Sequence, residues 1–157
     1  MRFNYVMTKK GYTLIELLVG VSIVAIIFGV GFISYREFSR RQSLTGITKQ
    51  LIGDLRLAQQ LSLTGQKPES EVCTTLIGYI VSRTSSTSYD LIANCSNANY
   101  IIKTVDMPLN TTISAGSVTF KVLGQGTSLS SPLTFTITNI QSNTSGTVTV
   151  GIGGDIK

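Results

Sequence analysis

The sequence predicts an α+β protein: a long N-terminal helix whose apolar half protrudes and whose amphipathic half packs on a C-terminal antiparallel β-sheet head. Three observations predict it. Residues 17–33 are all apolar or Gly apart from Ser22. Leu44, Ile47, Leu51, Leu55, Ala58 and Leu61 then recur at spacings of three and four. From about Val72 the pattern changes to alternation with period two.

The first element is the apolar run. Residues 17–33 reach roughly 26 Å as a helix, and residues 12–35 roughly 36 Å, enough to cross the hydrocarbon core of a bilayer. Tyr12 at one end, with Phe32 and Tyr35 at the other, suits the interfacial aromatic belts of a single membrane-crossing helix. A secretory signal peptide is the plain competitor. Gly29-Val30-Gly31 fits its cleavage site weakly, and Glu16 inside the run does not fit it. Arg2, Lys9 and Lys10 precede the span, while Arg36, Arg40 and Arg41 follow it, so the positive-inside rule is nearly balanced. The polar, Cys-containing C-terminal half favours an N-terminus inside and a head outside.

The second element continues the first. No proline falls between Tyr12 and Gly65, so one helix of about fifty residues is expected. Arg40, Arg41, Lys49, Asp54, Arg56 and Gln60 lie largely off its apolar stripe, and Gly65 followed by Pro68 ends it. Glycines 29, 31, 46 and 53 are places where it could bend.

Strands are expected at 78–83, 89–95, 100–106, 117–123, 133–139 and 147–152. In the last three, Val118, Phe120 and Val122, then Leu133, Phe135 and Ile137, then Val148, Val150 and Ile152 alternate with Thr, Lys or Gly. That alternation describes an antiparallel sheet with one buried face, covered by the amphipathic stripe. Turn-rich stretches such as SSTS, GQGTSLSSP and QSNTSG separate the strands.

Composition narrows the chemistry. The 157 residues are 42% hydrophobic and 13% charged, with positive mean hydropathy, which excludes a disordered charged chain. With no His, no Trp and two Cys, His-based triads, His-rich metal sites and Cys₄ zinc sites are excluded, and no cofactor is expected. The net charge of +5 belongs to the first 67 residues. From Pro68 onward acids slightly outnumber bases, so nucleic acid is an unlikely partner for the head on charge alone. No spacing pairs a nucleophile with a base, and no enzyme activity is expected. Gly124-Gln125-Gly126 follows a strand but precedes no helix, so it reads as a turn rather than a phosphate loop. The three Asn-x-Ser/Thr triplets at 94, 110 and 143 are chance in a chain so rich in Ser, Thr and Asn.

The segment Lys9-Lys10-Gly11-Tyr12-Thr13-Leu14-Ile15-Glu16-Leu17-Leu18, leading into the apolar run, resembles the N-terminus of type IV pilins and type II secretion pseudopilins. The resemblance implies a leader peptide at 1–11, a transmembrane and filament-core helix at 12–35, its amphipathic continuation at 36–66 and a β-rich head at 67–157. It extends over the chain as a lollipop layout. It implies cleavage between Gly11 and Tyr12 by a prepilin peptidase, followed by N-methylation of Tyr12. Met7 is an alternative start, giving the leader MTKKG. Tyr12 stands where the family commonly has Phe, and the helix-bending proline of many major pilins is absent. The other implied partners are further pilin-like subunits, an assembly ATPase, a platform protein and membrane lipid before assembly. The implied place is the bacterial inner membrane, as a single-pass precursor with its head outside the cytoplasm. From there the subunit enters a periplasmic pseudopilus or a surface pilus.

Glu16 has two readings that need not exclude each other. Thr13-x-x-Glu16 before an apolar run is a capping box, with a carboxylate at the positive helix end. By the resemblance, Glu16 is an assembly residue that pairs with the new amino terminus of an adjacent helix and selects register. Cys73 and Cys95 are either a disulfide or two small buried thiols. Arg36, Glu37, Arg40 and Arg41 either meet lipid headgroups, and later acids of neighbouring subunits, or form a solvated helix face. The helix end LRLAQQLSLTGQ and the late turn from Phe120 to Gly126 resemble the H-type minor pseudopilins and minor pilins. A minor subunit is therefore expected, with a major pilin or a tip-located binding subunit, an adhesin or DNA-uptake protein, as the alternatives.

Overall fold

The computed structural model describes residues 11–68 and 73–157. The elements are α1 (Leu14–Thr64), β1 (Leu76–Ser85), β2 (Ser88–Cys95), β3 (Asn99–Asp106), β4 (Thr111–Ile113), β5 (Ser117–Lys121), a 3₁₀ turn (Val122–Gly124), β6 (Leu133–Asn139) and β7 (Thr144–Val150). One long N-terminal helix followed by antiparallel sheets is the α+β layout expected. The chain divides into two compact units, Met1–Phe38 and Ser39–Lys157.

In the first unit the described chain is the opening of α1. Its large apolar side chains are exposed, from Val19 at 48% to Leu14 at 84%. The helix runs through this stretch with no proline to interrupt its hydrogen bonds, although its described apolar side chains are exposed.

The second unit holds the rest of α1 and every strand. Leu44, Ile47, Leu51, Leu55 and Ala58 are buried, as their spacing requires, while Leu61 is half-buried. The helix stops at Gly65, whose φ of +64° suits a residue without Cβ. The Gly65 amide donates to the Ser62 carbonyl (3.2 Å) and the Gln66 amide to the Leu61 carbonyl (3.1 Å), a Schellman cap.

The strands form two sheets rather than the single sheet expected. One has the order β3-β2-β1-β5, the other β4-β6-β7, and every pairing is antiparallel. Alternation along a strand fixes which face is buried, but it does not say which strand lies beside which. Tyr79, Val81, Tyr89, Leu91, Val118 and Phe120 of the first sheet share one core with Phe135, Ile137, Val148 and Val150 of the second and with the α1 stripe. Gly146 lets β7 approach the helix, because a Cβ there would lie 2.7 Å from the Thr48 hydroxyl oxygen.

All six expected strands are present; 133–139 has the ends expected, and the other strands have shifted ends. The 117–123 strand stops at Lys121, and Leu123 turns out to solvent with φ +56°, between Val122 and Gly124. The 147–152 strand runs instead from Thr144 to Val150, which leaves Ile152 exposed. β4 was not expected; three residues after a Pro-Leu-Asn turn are too few to show a period. The β6–β7 turn closes through Asn139, whose Oδ1 accepts from the Gln141 and Ser142 amides (both 3.1 Å).

Asp54 corrects the helix reading. It follows Leu51 by three and precedes Ala58 by four, so it sits on the border of the stripe and is buried at 6% exposure. Its Oδ2 accepts from the Tyr89 hydroxyl (2.7 Å), and the Lys103 ammonium donates to Oδ1 (2.8 Å) and Oδ2 (3.0 Å). A buried carboxylate is tolerated only when its lone pairs are filled, and here β2 and β3 fill them. The network ties the helix to one rotation and one height against the first sheet. Elsewhere Cys73 and Cys95 are disulfide-bonded, with Cα atoms 5.6 Å apart, joining the chain just before β1 to the last residue of β2.

Four outcomes follow. Asp54→Ala is expected to cost about 2–3 kcal/mol, the worth of hydrogen bonds to a charge. Lys103→Met is expected to cost about 1 kcal/mol, since that side chain is 40% exposed. Urea unfolding of the detergent-solubilised chain at pH 7 reads both. Burial pushes the Tyr89 phenol well above its ordinary 10.0, helped by its hydrogen bond to Asp54 and by that residue's charge; burial also raises Tyr79. A folded value above the unfolded one gives stability that is complete below pH 10 and falls as pH rises towards the folded value. Tyr89→Phe should therefore flatten the loss of stability above about pH 10 relative to the native chain. Replacing Cys73 and Cys95 together by Ser is expected to lower stability by about 3 kcal/mol in the same assay.

Candidate functional site: the first turns of the N-terminal helix

Gly11 and Tyr12 precede the helix, both exposed, Tyr12 at 83%. Thr13 caps it: the Glu16 amide donates to Thr13 Oγ1 (3.3 Å) and the Leu17 amide to the Thr13 carbonyl (3.2 Å). This is the Thr half of the capping box read from the sequence. Glu16 is exposed, and among the described residues no partner meets its carboxylate. Lys9, Lys10 and the alternative start Met7 lie outside the described residues, as do the rest of the leader before Gly11 and the first period-two residue, Val72.

Glu16 lies in an open groove on the helix surface, with Tyr12, Leu17, Gly20, Val21 and Val24. These positions repeat at four, so they form one face. Gly20 is a notch in that face, and a Cβ there would meet nothing within 4 Å. A small residue in an apolar helix face is what close helix–helix approach requires in lipid. The face therefore offers a second helix an apolar seat with one negative charge near its rim. A carboxylate at such a place favours a cation on the incoming chain over any neutral group.

Cys73 and Cys95 belong to the other unit and to its stability. Asp54 is the residue that the sequence reading misplaced. A signal for it did exist: Lys103 interrupts the apolar run of Tyr100-Ile101-Ile102 in β3, and a lone cation within such a strand calls for an acid opposite. Among the described residues no group of three or more Cys, Asp or Glu is placed to hold a metal ion.

Residues 6–32 match the family described as the prokaryotic N-terminal methylation motif. No curated protein and no solved structure matches the chain. The motif points to a structural protein, and it implies processing by a prepilin peptidase and assembly with other pilin subunits. With that motif at the head of one long N-terminal helix, followed by antiparallel sheets, the chain fits the type IV pilins and pseudopilins.

Proposed function

We propose that the chain is a structural subunit of a type IV pilus or a type II secretion pseudopilus, and a minor one. One observation carries the reading: the methylation motif opens a helix whose first stretch, residues 14–35, is apolar and bears a single acid, Glu16, near its start. A helix exposed in this way needs lipid before assembly and other helices after it.

In this reading the segment 1–11 is removed by cleavage between Gly11 and Tyr12, and Tyr12 becomes the methylated terminus. Its amine supplies the cation for Glu16 of an adjacent helix. That pairing selects register, while helix packing along the Gly20 face supplies the cohesion. The precursor spans the inner membrane through 12–35 with its head outside the cytoplasm, and an assembly ATPase with a platform protein draws it into the filament. The minor assignment is supported by the resemblance of the helix end and of the Phe120–Gly126 turn to H-type minor pseudopilins. The exposed Ser, Thr and Asn of the head support the second reading, a tip-located binding subunit.

Mass spectrometry of sheared filaments and of membranes from the same cells tests the reading. Traces of a methylated Tyr12 terminus in filaments are expected. The same terminus in abundance would make the chain a major pilin. Chains that keep residues 7–11, or that are cut near Gly31, would overturn the assignment. Glu16→Gln is expected to leave processing intact while lowering incorporation into filaments about tenfold, the effect of ~1.4 kcal/mol on association. Immunoblots of the sheared fraction read this directly.

A further inference from the structure

The apolar helix has a second polar boundary, and the groove at Glu16 does not explain it. From Glu16 to Arg36 is roughly 30 Å along the helix axis at 1.5 Å per residue, the thickness of a hydrocarbon core. Between them stand only apolar residues, Gly, Ser22, Ser34 and Tyr35. With Glu16 at one face of a bilayer, Arg36 reaches the depth of the phosphates at the other.

The last turns of this span are built unlike the first. Phe28, Phe32 and Tyr35 are exposed at 74%, 62% and 69%, and with Ile27 they line an open apolar groove. The Arg36 guanidinium lies over the Phe32 ring, 5.7 Å from its centroid. A guanidinium held over an aromatic ring by its positive charge still has five N–H donors, enough to offer a fork to two oxygens of one phosphate. Arg36 is itself exposed, and the sequence continues with Arg40 and Arg41 against the single acid Glu37. With the head outside the cytoplasm, Arg36 lies on the side where short flanking segments usually carry few cations. A cation placed there against that bias calls for a local anion.

We propose that Arg36, seated on Phe32, binds the phosphodiester of an anionic phospholipid at the head-side boundary of the membrane, with the aromatic groove receiving the upper part of an acyl chain. The inference rests on the membrane-spanning precursor of the preceding reading and adds a specific partner to it. Charge complementarity selects an anionic lipid over a zwitterionic one, since the latter brings its own ammonium to the phosphate.

The test uses the full chain in nanodiscs of equal phosphatidylglycerol and phosphatidylcholine, with native mass spectrometry of the lipids retained on gentle release. Enrichment of phosphatidylglycerol over the bulk ratio is expected. Arg36→Gln is expected to reduce that enrichment about fivefold, the effect of one cation near a charged surface. Phe32→Ala should reduce it in part, and Arg56→Gln, an exposed cation of the other unit, should leave it unchanged. Retained lipid at the bulk ratio would overturn the proposal, and so would an equal loss with Arg56→Gln. Unchanged enrichment in Arg36→Gln together with poorer filament incorporation would assign Arg36 to a neighbouring subunit's acid instead. A chain that does not enter the nanodisc at all would sink the membrane-spanning reading itself, a failure distinct from loss of lipid selection.

Discussion

A helix that is apolar on every side cannot remain in water, and the rest of this chain follows from that constraint. The described Leu, Ile, Val and Phe side chains of residues 14–35 are exposed, at roughly 25 cal/mol for each Å² of apolar surface in contact with water. Two environments remove that cost: a bilayer, and a bundle of like helices. Lipid accepts any apolar helix, so a bilayer imposes no register. A bundle does need one. A lone carboxylate beside a glycine notch, within one groove of the helix face, supplies a means of choosing it.

The second half of the same helix meets a different requirement. It has one apolar stripe, and two sheets cover it with a shared core. Hydrophobic packing alone would allow a helix of this kind to slide or roll by a fraction of a turn. Asp54 limits both movements, because its two oxygens are filled only when Tyr89 and Lys103 stand opposite. Asp54 is satisfied within its own unit, while in the proposed assembly Glu16 is satisfied by another subunit.

Much of this was legible in the sequence, and the gaps have physical causes. The helix, its stripe and six strands were readable because each repeats over enough residues for a period to show. β4 has three residues and no period, and the division into two sheets depends on pairing that alternation does not encode. The sequence places Asp54 outside the stripe because a charge at its border usually points to water. Its burial depends on Lys103, 49 residues away. The candidate site was legible as a linear motif from Lys9 to Leu18, because the residues that carry it are consecutive in the chain. What Glu16 pairs with was not legible, since its partner belongs to another copy in the proposed assembly.

The central claim is that the 14–35 helix is never exposed to water in the working protein. Ile23 is 53% exposed in the isolated chain and Leu109 of the head 91% exposed, so single cysteines at these positions make a direct comparison. Reaction with a membrane-impermeant maleimide would be followed in intact membranes and again in sheared filaments. The account predicts that Leu109→Cys reacts readily in both preparations, once the reagent can reach the head, while Ile23→Cys is protected in both. Ile23→Cys reacting as fast as Leu109→Cys in either one would contradict it.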